Sequence, residues 1–97
     1  MREYLIRKKA VAELSPEWTC WYPGKVKFKE NDIFGVFDMI CVKAGSLPRF
    51  IQYTTLSNLS ARKKKVQGFL QRTGVELWSE VWGWDKKKKE FKIIKIS

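Results

Sequence analysis

A carboxylate opens one apolar segment of this 97-residue chain, and two polar residues interrupt the next. The first segment reads Gly35-Val36-Phe37-Asp38-Met39-Ile40-Cys41-Val42, and the second Phe50-Ile51-Gln52-Tyr53-Thr54. Both have the β-branched and aromatic composition of strands, in which residues two apart share a face. Gln52 and Thr54 therefore fall on one face, and Asp38 joins them if the two strands pair. The run Arg62-Lys63-Lys64-Lys65 follows and supplies positive charge. Polar groups on a sheet beside a positive helix point to a phosphodiester site.

Composition narrows the chemistry further. The chain has no histidine, which excludes Ser-His-Asp and Cys-His catalysis and every histidine-bearing zinc site. Its two cysteines, Cys20 and Cys41, form no CxxC pair and fall in apolar strand-like segments. They read as small buried hydrophobes, reduced in a cytosolic compartment. Net charge is +10, from 20 Lys+Arg against 10 Asp+Glu. That excess favours a polyanion: nucleic acid first, DNA ahead of RNA, and an anionic membrane surface second. A Lys-rich surface serving solubility or heat resistance is the plainer reading. Hydrophobic content of 44% and aromatic content of 14% predict a packed globule, not a disordered basic tail. No apolar run approaches the ~20 residues of a membrane helix, and the N-terminus lacks a signal peptide's pattern. The expectation is a cytoplasmic protein with no membrane partner.

These residues need elements to position them. Glu3 to Leu14 contains good helix formers and stops at Ser15-Pro16, with a loose stripe of Tyr4, Val11 and Leu14. Trp18 to Tyr22 reads as a short strand closed by Pro23-Gly24. Lys25 to Phe34 reads as a basic ribbon or loop, where Lys25, Lys27 and Lys29 alternate with Val26 and Phe28 on one extended segment. Phe37 to Lys43 and Arg49 to Thr55 are the strong strands, joined by a turn over Ala44 to Pro48. Ser57, Asn58 and Ser60 are candidate caps for a helix from about Ala61 to Thr73 with a core stripe of Val66, Phe69, Leu70 and Thr73. Val75 to Trp84 and Phe91 to Ile96 read as final strands around a charged loop, Lys86 to Lys89. The order is helix, three strands, helix, two strands: a single α/β domain over residues 1–97, a central mixed sheet flanked by helices.

Asp38, the glycine-led approach Gly35-Val36-Phe37, and Gln52-Tyr53-Thr54 in this element order resemble the PD-(D/E)XK nuclease superfamily. The likeness is to its small archaeal Holliday-junction-resolvase-like and phage-type members. It implies a small restriction-endonuclease-like core, α-β-β-β-α-β-β, with Asp38 matching the family aspartate. Gln52 stands where the family has an acidic residue, and Thr54 where it has a lysine. The resemblance implies a metal-dependent DNA endonuclease acting on branched or structured DNA, with Mg2+ or Mn2+ held by Asp38 and Gln52. Threonine carries no charge to stabilise a phosphate, so Arg62 and Lys63, at the N-terminal end of the second helix, are the candidate substitutes. The alternatives are a catalytically inactive nucleic-acid-binding module of the same fold, or a small assembly partner of a larger DNA-processing protein.

Each residue also has a plainer role. Asp38 would otherwise cap a turn or pair with a lysine, and Gln52 would belong to an internal hydrogen-bond network. The segment Thr54, Thr55, Ser57, Asn58 leads into a helix N-terminus, where it serves phosphate binding or simple capping. Glu3 and Glu13 are candidates for a further helix-one carboxylate, but a solvated face suits both better; Asp32 is a weaker candidate. Nucleic-acid contacts are expected from Lys25, Lys27, Lys29, Asn58, Arg62, Lys63, Lys64 and Lys65. Most of the five tryptophans belong in the core. One or two at an edge would stack bases or support a homodimer.

Overall fold

The computed structural model describes residues 2–26, 29–30 and 32–96. In chain order the elements are α1 (Glu3–Leu14), β1 (Thr19–Trp21), β2 (Lys25–Val26), β3 (Lys29–Glu30), β4 (Met39–Val42) and β5 (Arg49–Thr55). A single 3-10 turn, Leu56–Asn58, then leads into α2 (Leu59–Thr73), β6 (Trp78–Asp85) and β7 (Glu90–Lys95). The main sheet has five strands in the order β1-β4-β5-β6-β7. All neighbours are antiparallel except β5 and β6, which run parallel and are joined by α2. A parallel pair needs such a crossover, and a helix supplies it. The fold is thus α/β, with a mixed open sheet and a helix packed on each face.

The strand period of two sorts the core into two layers. Ile51 and Tyr53 of β5, Met39 and Cys41 of β4 and Trp82 of β6 pack beneath Ile6, Ala10 and Leu14 of α1. Val81, Phe50, Val36 and Phe37 pack against Leu59, Val66 and Phe69 of α2. Phe37, Met39, Ile51, Val66, Val81 and Trp82 are each at most 1% exposed, and each such side chain contributes about 1.5–3 kcal/mol.

On the α1 face the core holds a buried ion pair, Arg49 and Glu80. Glu80 Oε1 accepts from Arg49 Nη2 at 2.5 Å and from Trp82 Nε1 at 3.0 Å, while Oε2 accepts from Trp78 Nε1 at 3.0 Å. The Arg49 guanidinium also lies over the rings of Trp18 and Trp78. The tryptophans of β6 therefore shape a polar core as well as an apolar one.

Several sequence expectations change at this level. Of the expected α1 stripe, Leu14 is buried and Val11 packs partly against the core, but Tyr4 is exposed, and Ile6 and Ala10 complete the buried face. Helix α2 begins at Leu59, not Ala61, and Thr73 leaves the core to bond its hydroxyl to the Phe69 carbonyl. Lys25–Val26 pairs antiparallel with Lys29–Glu30, with Lys25 opposite Glu30 and Lys29 opposite Val26. The basic ribbon is therefore two short strands and not one extended segment; Lys27 lies outside the described residues. Only Trp21, on the edge strand β1, is strongly exposed among the tryptophans.

Candidate functional site

A tight turn delivers Asp38 to the sheet. Phe34 and Gly35 both take positive φ, 57° and 70°, and Ile33 and Phe37 exchange backbone hydrogen bonds across it. Glycine adopts that conformation without strain. The chain then enters β4, and Asp38 N–H donates to the Ile51 carbonyl at 2.8 Å. In return, Tyr53 N–H donates to Asp38 Oδ2 at 2.9 Å. Strand N–H groups point sideways, in the plane of the sheet. The carboxyl therefore takes the place that a continuing β4 backbone would occupy.

Its surroundings hold it protonated. Burial pushes the Asp38 pKa from the ordinary 3.8 up to about 8; the Tyr53 N–H opposes this, and the charges of Glu3 and Asp32 add to it. Glu3 lies near enough for its charge to act on Asp38, so helix α1 brings a carboxyl toward this site from its exposed first turn. Arg7, one turn further along α1, lies near enough for its charge to act on the Tyr53 hydroxyl and sits 4.3 Å from the ring centroid of Tyr22. Neither Arg7 nor Tyr53 stands out in the sequence. The only signal there is that Glu3 and Arg7 lie four apart, on one helix face.

Gln52 and Thr54 share the α2 face, as their spacing predicts, and are 1% and 7% exposed. Gln52 Nε2 donates to the Val36 carbonyl, while its Oε1 is buried without a hydrogen-bond partner among the described residues. Asp38 lies between the two layers: Glu3 approaches its carboxyl from the α1 side, and the Gln52 amide turns to the other. Among the described residues, no three His, Cys, Asp or Glu side chains converge as a metal-binding group.

The basic run on α2 divides. Val66 faces the core, so Arg62 and Lys63, one turn earlier, are half-buried, while Lys64 and Lys65 face solvent. Lys63 lines an open cleft of about 800 Å³ on the β7 side, whose lining does not include Asp38. Leu56, Ser57, Leu59 and Ser60 line one wall of that cleft; Lys88, Phe91, Lys92 and Ile94 line the other, with Asp85 and Glu90. Asp85 Oδ1 is occupied by the backbone N–H groups of Lys87 and Lys88, at 3.0 and 3.1 Å, which fixes the hairpin tip. Asn58 stands exposed at the start of α2 and makes no side-chain cap bond.

Strand direction places all of this at one end of the sheet. Asp38 precedes β4, which runs antiparallel to β5, so it neighbours the C-terminal half of β5. The start of α2, the end of β6 and the start of β7 lie at the same end. Ligands of open α/β sheets bind outside the carboxyl ends of their parallel strands, and those ends are here. Among the described residues no helix is long and apolar enough to cross a membrane.

Comparison with protein-family models, with curated proteins and with solved structures gave no match.

Proposed function

We propose that this chain binds nucleic acid, DNA ahead of RNA, across the carboxyl end of its parallel strands, with Lys63, Lys88 and Lys92 on backbone phosphates and Ser57 and Ser60 donating to phosphate oxygens. One observation carries this reading. Two basic runs more than twenty residues apart in the chain, Arg62–Lys65 and Lys86–Lys89, are brought to opposite walls of one cleft, through Lys63 and Lys88. Such contacts are independent of base sequence and give micromolar or weaker affinity at physiological salt, about 10⁻⁴–10⁻⁶ M. Labelled duplex, branched and single-stranded DNA titrated with the pure protein tests it. The Lys63→Ala, Lys88→Ala, Lys92→Ala triple variant should lose most of the affinity, and unchanged binding would refute the cleft as the interface.

A second reading is favoured by Glu3 approaching Asp38 where β4 begins, in an element order like that of the PD-(D/E)XK core. On this reading the chain is a divalent-metal-dependent DNA endonuclease. Asp38 and Glu3 would hold Mg2+ or Mn2+, since carboxylate oxygens suit either, while Gln52, on the α2 face, stands apart from them. A bound cation supplies polarisation of the phosphate and activation of water. Asp38 must first release its proton, and Arg7 replaces Arg62 and Lys63 as the cation on the Asp38 side of the sheet. Cleavage of branched and duplex DNA with Mg2+ or Mn2+, absent in EDTA and in Asp38→Asn, is the expected result. An active Asp38→Asn protein would eliminate this reading while leaving the binding one intact.

A further inference from the structure

Cys20 and Cys41 stand directly opposite each other on the antiparallel pair β1 and β4, with their Sγ atoms 3.1 Å apart. Opposed residues in such a pair have Cα atoms about 4.5 or 5.5 Å apart, depending on the pair type. Both separations fall within the roughly 4.4–6.8 Å that a disulfide spans. The sulfurs need to close by only about 1 Å to reach bonding distance. No other cysteine exists in the chain to compete.

We propose that Cys20 and Cys41 form a thiol pair that closes to an intramolecular disulfide when a small peroxide or disulfide oxidant reaches Cys20. The two sulfurs have different roles. Cys41 is 0% exposed, whereas Cys20 is half-buried, so Cys20 is the one a reagent meets. Burial, and then the neighbouring Cys20 thiol, push the Cys41 pKa above the ordinary thiol range, so Cys41 acts second.

With hydrogen peroxide, Cys20 Sγ attacks one peroxide oxygen, the O–O bond breaks, one water leaves and Cys20 becomes a sulfenic acid. Cys41 Sγ then attacks Cys20 Sγ, the S–O bond breaks, and the hydroxyl leaves as a second water with the Cys41 proton. Two thiols lose two electrons and two protons, and one peroxide becomes two waters. Oxidised glutathione gives the same product through a mixed disulfide on Cys20, releasing two reduced glutathiones.

The bond would matter where the sheet is weakest. Strand β1 is three residues long, lies at the sheet edge and pairs only with β4. The loop it closes, residues 21–40, carries the approach to Asp38. A loop of about 20 residues closed in this way should raise the melting temperature by about 10 °C or more.

The experiment uses the full chain, reduced, then treated with peroxide or equilibrated in oxidised glutathione. The protein is unfolded, alkylated and weighed. The expected product is a monomer lighter by two hydrogens, resistant to alkylation, restored by dithiothreitol and melting at the higher temperature; Cys20→Ser should abolish all four properties. Free thiols after equilibration in oxidised glutathione, a terminal sulfinic acid on Cys20, a stable glutathione adduct or a cross-linked dimer would each overturn the pair.

Discussion

Asp38 makes stability depend on pH in a direction opposite to that of most carboxylates. Its pKa is about 8 in the folded chain against an ordinary 3.8. Below pH 3.8 both states hold the proton, and the stabilising contribution is complete. Between the two values the folded chain keeps the proton while the unfolded chain ionises. Stability there should fall by about 1.4 kcal/mol per pH unit, and the loss is finished above pH 8. Urea unfolding of the metal-free protein from pH 5 to 8 checks the slope, and Asp38→Asn should flatten it, because an amide still accepts from Tyr53 N–H without titrating. Glu80 contributes through its partners, since its carboxylate accepts from Arg49, Trp78 and Trp82. Truncation by Glu80→Ala would leave Arg49, with its side chain 13% exposed, as an uncompensated buried charge. The expected cost is about 3–5 kcal/mol in the same unfolding measurement. Asp38, Gln52 and Thr54 were visible in the sequence because polar residues in apolar strands stand out. Arg49 and Glu80 were not, because their pairing depends on the β5–β6 register, which no local pattern records.

The same division holds for whole elements. Strands β4 and β5 and helix α2 carry strong alternation or helical spacing, and their extents were readable to within a few residues. The inward stripe of α1 was read only in part, Val11 and Leu14 but not Ile6 and Ala10, because charged residues surround the buried positions. Tertiary packing selects that face. Contact between α2 and the sheet depends equally on a residue with little sequence signal, Gly83 of β6. A Cβ there would lie 3.1 Å from Leu59 Cδ1 and 3.3 Å from Leu59 Cβ. That spacing lets the first turn of α2 sit down on β6 beside the cleft. Gly83→Val should therefore destabilise the fold by roughly 1–3 kcal/mol through overpacking. It should also weaken DNA binding on the cleft reading, because Ser60 and Lys63 move with that turn. Chemical denaturation and the DNA titration measure the two effects separately. Loss of stability with unchanged affinity would detach the cleft from the binding reaction.

At the scale of the molecule, what matters is whether the net charge of +10 acts as a whole or from one place. A diffuse positive surface attracts DNA wherever its cations sit, so any three of them should be nearly equivalent. A built cleft makes position decisive. Lys63, Lys88 and Lys92 line the cleft, whereas Lys43, Arg72 and Lys95 lie at the opposite ends of β4, α2 and β7. Replacing either trio with alanine removes three positive charges from +10, leaving +7, so the two variants match in charge and differ only in place. Removing one lysine–phosphate ion pair should reduce the slope of log K against log salt by about 0.9. The cleft variant should therefore flatten the slope by about 2.7, and the distal variant by well under one unit. Screening over a Debye length of about 10 Å at 0.1 M salt keeps the distal charges from compensating. Equal flattening in the two variants would mean that net charge alone holds the DNA, and the convergence of the two basic runs would then have no role in binding.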